Sequence, residues 1–188
     1  TVRWNPPKNM DASQARMGRI ITARGVKLIV SLADFPQYDF TRINIDVVNG
    51  SDKPVAIDPA QVKLAAVAPH EKVLKHLDPN KLAQAIELND YFNNQADVLH
   101  GGGAQTNAGM GVNREVSQGL GATITYEGKE YKFTEFLRKT ELRKGDLEAS
   151  KRAVGGIYFD LDKSRQEALL IVPIGEITFE IPFEGLIK

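Results

Sequence analysis

Apolar and polar residues alternate one by one near both ends of the chain, and that period breaks down in the middle. The clearest stretch is FTRINIDVVN, where Ile43, Ile45 and Val47 point one way and Arg42, Asn44 and Asp46 the other. A period of two belongs to a strand with one face in a core and one in water. Upstream, RIITARGVKLIVSLA reads as two strands rich in Ile and Val, split near Arg24-Gly25. Downstream, NGSDKP is turn chemistry, and VAIDPAQVKLAAVA supplies two short strands with Val62, Leu64 and Ala66 on one face. Toward the C-terminus, RAVGGIYFDL, EALLIVPI and EITFEIPF predict three more strands, the last with Ile177, Phe179, Ile181 and Phe183 on one side. Pro173 and Pro182 cannot donate to a fully paired ladder, so they are expected at strand ends, bulges or an edge.

At Pro69 the period changes. Asp78-Pro79 has the form of a helix start, the carboxylate accepting from free N–H groups and the proline fitting the first turn. Leu82, Ala85, Ile86, Phe92, Ala96 and Leu99 then fall near one helical stripe, and Val73, Leu74 and Leu77 predict a shorter helical piece before it. After a glycine-rich stretch, ATITYEGKEYKF predicts a hairpin turning at Glu127-Gly128, and Thr134 is placed to cap a short helix through EFLRKTEL. Residues 1–17 carry two prolines and no period; they read as a leading arm that Trp4 pins to the body.

Strands, a mixed block and then strands again, without alternating crossover helices, argue against a doubly wound α/β fold. The expectation is mainly β. An antiparallel β-sandwich over residues 18–188 is interrupted at about 70–140 by a largely helical insertion. At 188 residues, one domain with an insertion is the natural size, and it buries roughly 70% of its unfolded surface.

Composition narrows the chemistry. The chain has no cysteine, which removes disulfides, thiolate metal sites and cysteine nucleophiles. Lys plus Arg total 24 and Asp plus Glu total 24, so no net field draws in nucleic acid or an anionic membrane. No apolar run approaches the roughly 18–20 residues of a membrane-crossing helix. The sequence opens at Thr1 without an initiator Met, which fits a processed N-terminus and leaves room for a lipid anchor on a removed residue.

The stretch with most of the look of chemistry is HGGGAQTNAGMGV, His100 to Val112. His-Gly-Gly-Gly forms the oxyanion hole of some esterases, but the partner Gly-x-Ser-x-Gly elbow is missing. Neither a P-loop nor a dinucleotide-binding glycine register is present. The stretch reads as a linker, with glycine used for its conformational freedom. His70, His76 and His100 have no spacing that stacks them on one helical face, so no metal site and no cofactor are expected from the sequence; a fold that gathered them would be the exception. Asp160 and Asp162 lack the rest of a calcium loop and read as turn residues. The pairs Arg138-Lys139, Arg143-Lys144 and Lys151-Arg152 sit among acids and read as solvated faces.

Two stretches carry a resemblance. VVNGSDKPVAIDPAQVKL and LEASKRAVGGIYFDLDKSRQEALLIVPIGEITFEIPF resemble, over about half the chain, the telokin-like, immunoglobulin-fold domains of bacterial extracytoplasmic proteins, many of them lipoproteins. Gly155, Tyr158 and Phe159 fit the pattern's Gly-hydrophobic-aromatic strand. Its Leu-x-Pro-Gly-Glu loop is not kept, since Leu147 is followed by Glu148, Ala149, Ser150 and Lys151. The resemblance implies an immunoglobulin-like sandwich, export to the periplasm or cell surface, no enzymatic activity, and roles in adhesion, assembly or envelope maintenance. It assigns no catalytic residue.

From this comes the expected function: a non-enzymatic binding or assembly module that uses its insertion, because loops on a rigid scaffold usually carry recognition. The exposed side of the 79–99 helix, with Tyr126 and Tyr131, is the candidate surface. An alternative is a carbohydrate-binding module in which those aromatics stack on sugar rings. A third is a metal protein or enzyme built on the three histidines.

Overall fold

Strands form where the alternation predicts them. The computed structural model describes residues 1–6, 18–35, 38–68, 71–99, 123–160 and 166–186, and the chain divides into two compact units. The larger comprises Thr1–Leu77 and Glu141–Lys188, so it is built from both ends of the sequence.

Its first sheet begins with β2 (Arg19–Ala23) and β3 (Val26–Asp34), joined by a two-residue turn in which Arg24 and Gly25 take φ of 48° and 80°. Two successive positive φ values make a type I′ turn, whose twist matches that of the flanking strands. Then β3 pairs antiparallel with β4 (Phe40–Asn49), and β4 with β12 (Arg152–Asp160), along nine residue pairs each. The short β8 (His76–Leu77) completes the order β2-β3-β4-β12-β8.

In the second sheet, β13 (Gln166–Ile174) and β14 (Ile177–Leu186) form a hairpin. The N-terminal β1 (Val2–Arg3) lies parallel to β14, and the other side of β13 carries β6 (Lys63–Ala68) and β5 (Val55–Ile57). Two outer strands, β7 (Lys72–Val73) on β6 and β11 (Gly145–Leu147) on β5, finish it. Between β5 and β6 a 3-10 turn at Pro59–Gln61 is capped by Asp58, whose carboxylate accepts from the Ala60 N–H.

One hydrophobic cluster joins the two sheets. Leu28, Val30, Ile43, Ile45, Val47, Ile157 and Phe159 come from the first, and Leu64, Leu170, Val172, Phe179, Ile181 and Phe183 from the second. Each such side chain contributes about 1.5–3 kcal/mol when taken out of water. Val62, Leu64 and Ala66 share a buried face as expected. Trp4 joins the cluster and donates its backbone N–H to Glu180 O, while Arg19 stacks its guanidinium 3.9 Å from the Phe183 ring centroid and 5.2 Å from that of Trp4. The start of the leading arm is thus a strand of the sheet. Pro173 pairs next to the β13–β14 turn, and Pro182 lies past the two β14 residues that β1 covers.

The face of β4 expected to be wet is not wet throughout. Phe40, Thr41, Arg42 and Ile43 are all buried in succession, and Arg42 is 0% exposed. Its Nη1 donates to Tyr158 Oη at 3.1 Å, and Phe40 stacks on Tyr38 and meets Tyr158 edge-on. Gly156 leaves room for the guanidinium, since a Cβ there would lie 2.1 Å from Arg42 Nε. Aromatic cover and a missing side chain bury what alternation alone assigned to solvent.

The second unit runs from Asp78 to Thr140. It holds α1 (Pro79–Leu99), the hairpin β9 (Thr123–Tyr126) and β10 (Lys129–Lys132), and α2 (Phe133–Lys139). Residues 71–77, before it, belong to the larger unit. Residues 72–77, expected to include a helical piece, form β7 and β8, because each finds an open strand to pair with in β6 and β12.

The two junctions lie side by side. On β12, Leu77 pairs with Tyr158 and Glu141 bridges Gly156, and the Leu142 N–H donates to Gly156 O at 3.0 Å. The chain leaves and re-enters the larger unit at one sheet edge. That arrangement lets a long insertion sit in a domain without disturbing its core.

Candidate functional site

The inserted unit carries the surface the sequence singles out. Its long helix begins as predicted: Asp78 Oδ1 accepts from the Asn80 N–H at 2.8 Å, Asp78 O accepts from the Leu82 N–H, and Pro79 occupies the first turn. The buried stripe is Pro79, Ala83 and Ile86, with Leu82 half-buried. Ala85, expected in the stripe, is exposed, since it lies about 200° around the helix from Ala83. The side chains of Phe92, Ala96 and Leu99 lie outside the described residues. Facing solvent are Asn80, Lys81, Gln84, Ala85, Leu88 and Asn89, a polar face with one large apolar residue.

Packed against α1 is α2, which buries Phe133, Thr134, Phe136 and Leu137. Thr134 does not cap it. Lys132 occupies the cap position without a side-chain bond, and Thr134 is buried inside the first turn. The helix stops at Lys139, short of the predicted Leu142, with Thr140 Oγ1 donating to Phe136 O. Arg138 clamps Glu87 across the two helices with bonds of 2.6 and 2.8 Å. The guanidinium holds the Glu87 carboxyl below its usual range, and Glu87 raises Arg138 in return. Along α2, Lys139 bonds Glu135 one turn back and lowers its pKa. Asp90 behaves differently: burial pushes its carboxyl up, and Oδ2 has no hydrogen-bond partner among the described residues.

Both candidate tyrosines lie on the hairpin. Its turn at Glu127 and Gly128 has φ of 49° and 73°, again type I′. The register sets Tyr131 opposite Ile124 and Lys129 opposite Tyr126, so both tyrosines share one face with Ile124. That face is the half-buried one; Thr123, Thr125, Glu130 and Lys132 on the other are exposed. The Tyr126 ring meets Phe136 of α2 edge-on, with centroids 5.5 Å apart. Tyr126 therefore helps to hold the hairpin on the helix, and Tyr131 lies beside it at the packed face.

The remaining candidates disperse. The His76 ring lies tilted against Phe159 in the first sheet, with centroids 5.4 Å apart; His70, His100, Asp162 and the whole glycine stretch lie outside the described residues. Among the described residues no group of three metal-ligating side chains comes together. Asp160 ends β12 and donates its N–H to Lys75 O. Of the basic pairs, Arg138, Lys139, Lys144 and Arg152 each engage an acid, respectively Glu87, Glu135, Asp58 and Asp46. Alternation missed the Arg42–Tyr158 contact. The readable signal was Gly155-Gly156 on a strand facing β4, since paired glycines mark a close approach.

No family model and no curated protein matches the chain. Among solved structures, it is similar to a Bacillus subtilis protein described as a "putative lipoprotein (ycdA)". The two share 13% identity at a TM-score of 0.44, over 87% of this chain and 38% of the length of that protein. No helix among the described residues is long and apolar enough to cross a membrane.

Proposed function

We propose that this chain is an immunoglobulin-like β-sandwich module that works outside the cytoplasm without catalysis and recognises a protein or envelope component through its inserted unit. Strand order supports the fold reading. The runs β3-β4-β12-β8 and β6-β13-β14, taken with their order in the chain, correspond to the ABED and CFG sheets of a constant-type immunoglobulin domain. In that scheme the insertion falls between the fourth and fifth strands. The extracytoplasmic reading is supported by the resemblance that Gly155, Tyr158 and Phe159 carry.

One observation carries the functional reading: a unit with its own buried residues hangs from two neighbouring positions of one sheet edge. A rigid platform presenting an elaborated insertion is a common arrangement for recognition. The test replaces residues 78–140 by a short Gly-Ser linker from Leu77 to Glu141. The shortened chain should keep the buried Trp4 fluorescence of the folded body yet lose the partners that the intact chain captures from an envelope extract. Equal capture by both chains would refute the role of the insertion.

A further inference from the structure

We infer that the outer edge of β2 is a docking site for an extended peptide strand that carries acidic residues, and that it acts by adding one strand to the first sheet. This does not rest on the role assigned to the inserted unit. It rests on what the edge lacks.

A sheet edge presents unpaired N–H and C=O groups, and proteins that gain nothing from them keep edge strands very short or protect them with lysine, proline or a bulge. Four of the outer strands follow that rule: β1, β7 and β8 have two residues each and β11 three. By contrast, β2 has five, RIITA, with no proline and no lysine, and its register with β3 runs without a shift. Among the described residues no strand pairs with its outer side.

The register says which groups are offered. A type I′ turn makes Ala23 and Val26 the closing hydrogen-bonded pair, and bonding then alternates along the ladder. Arg19, Ile21 and Ala23 bond to β3, so the N–H and C=O of Ile20 and Thr22 point away from the sheet. Arg19, the residue best placed to guard the edge, instead turns its guanidinium onto Phe183 and Trp4. Beside these groups the Ile20 side chain is 55% exposed, next to the half-buried Ile29 across the ladder. An incoming strand would gain main-chain bonds from the edge and an apolar contact from Ile20.

Charge selects the partner. With Arg19 turned inward, the hairpin's outward cations are Arg24 and Lys27 near its turn, and its one acid, Asp34, ends β3 at the far end. Arg24 and Lys27 are exposed. The nearby Asp46 is already held by Arg152 through two bonds of 2.9 and 2.8 Å. A strand with a carboxylate at each end sets one beside Arg24 and Lys27 whichever way it runs, and a basic strand is repelled. Self-pairing of β2 in a second copy would set these like charges together over five residues. That contact is far smaller than the roughly 1,000 Å² a stable interface needs.

The probe is the peptide acetyl-Glu-Thr-Val-Thr-Val-Glu-amide, titrated into the isotope-labelled full chain while amide signals are followed. The expected result is saturable movement of the Ile20 and Thr22 signals, with slowed exchange of those two amides. A peptide with Lys in place of both Glu should bind about fivefold more weakly or worse. Ile20→Pro, which removes an outward N–H and no bond of the β2–β3 ladder, and Ile20→Lys, which adds a guard, should each abolish the Thr22 movement while Trp4 fluorescence shows the fold intact. The proposal is overturned if those amides stay unmoved at millimolar peptide, or if the basic peptide binds as well. It is also overturned if the same signals move when the chain alone is concentrated, because a second copy would then occupy the edge.

Discussion

Gly155→Ala should weaken the larger unit far more than a methyl group normally does. A Cβ at this position would lie 2.3 Å from Leu142 Cα, 2.4 Å from Leu142 N and 2.7 Å from the Glu141 carbonyl carbon. Carbon atoms pack at about 3.5–4.0 Å, so the returning segment must retreat by more than about 1 Å. Every atom in the way is backbone, and no rotamer change relieves the overlap. Retreat strains or breaks the Leu142 N–H bond to Gly156 O, worth about 1 kcal/mol net. It also draws the Leu142 side chain, 2% exposed, out of the shared core, where full burial is worth about 1.5–3 kcal/mol. The expected loss is about 2.5–4 kcal/mol, a large share of the 5–15 kcal/mol typical of a folded domain. Gly145→Ala is the control: nothing lies within 4 Å of its Cβ, and its effect should stay within about 0.5 kcal/mol. Urea unfolding followed by the fluorescence of Trp4, the sole tryptophan and a member of that core, measures both. With a slope of about 2 kcal/mol/M, Gly155→Ala should lower the midpoint by about 1.2–2 M. A loss below about 1 kcal/mol would refute the close approach of Leu142 to β12.

Four further outcomes follow from the same geometry. Gly156→Ala should displace the buried Arg42 guanidinium from Tyr158 and cost about 2–3 kcal/mol, and adding Arg42→Met should recover most of that loss in a double-mutant cycle read by the same urea titration. Arg24→Asn, which suits a positive φ better than arginine, should stabilise the β2–β3 hairpin by several tenths of a kcal/mol up to about 1, seen as a raised midpoint. Glu87→Gln should cost at most about 1 kcal/mol, less in high salt; because the Glu87 pKa is lowered on folding, the parent's advantage holds above the ordinary Glu range and fades as pH falls through the folded value. Asp90→Asn should have the opposite sign. Burial raises this carboxyl, so the benefit of its neutral form is full below the ordinary Asp value and lost as pH rises through the folded one, and thermal melts should favour the variant near about pH 7 but not near about pH 3.

The strands were legible because the period of two is a direct imprint of a half-buried sheet. FTRINIDVVN is β4 from Phe40 to Asn49, and both Gly-containing turns fall where the sequence places them. Asp78-Pro79 starts the helix for the capping reason given. What alternation could not report was anything decided by a neighbour distant in sequence. Arg42 looks solvated until Gly156 and Tyr158, more than a hundred residues away, are brought across from it. Residues 72–77 look helical by their apolar spacing, and they pair as strands because β6 and β12 offer open sides. Ala85 matches a stripe by count but not by angle. Tyr126 and Tyr131 stood out as exposed aromatics, and a register that sets both beside Ile124 turns them toward the packed face of the hairpin.

Both ends of the chain build one body around one core, and residues 78–140 form a separate unit. Amide hydrogen exchange on the intact chain, measured across sub-denaturing urea, tests it most directly. The slow amides of β3 and β4 and those of β13 and β14 should converge on one opening free energy, while α1 and α2 open at their own. Separate opening energies for the N-terminal and C-terminal strands would contradict it.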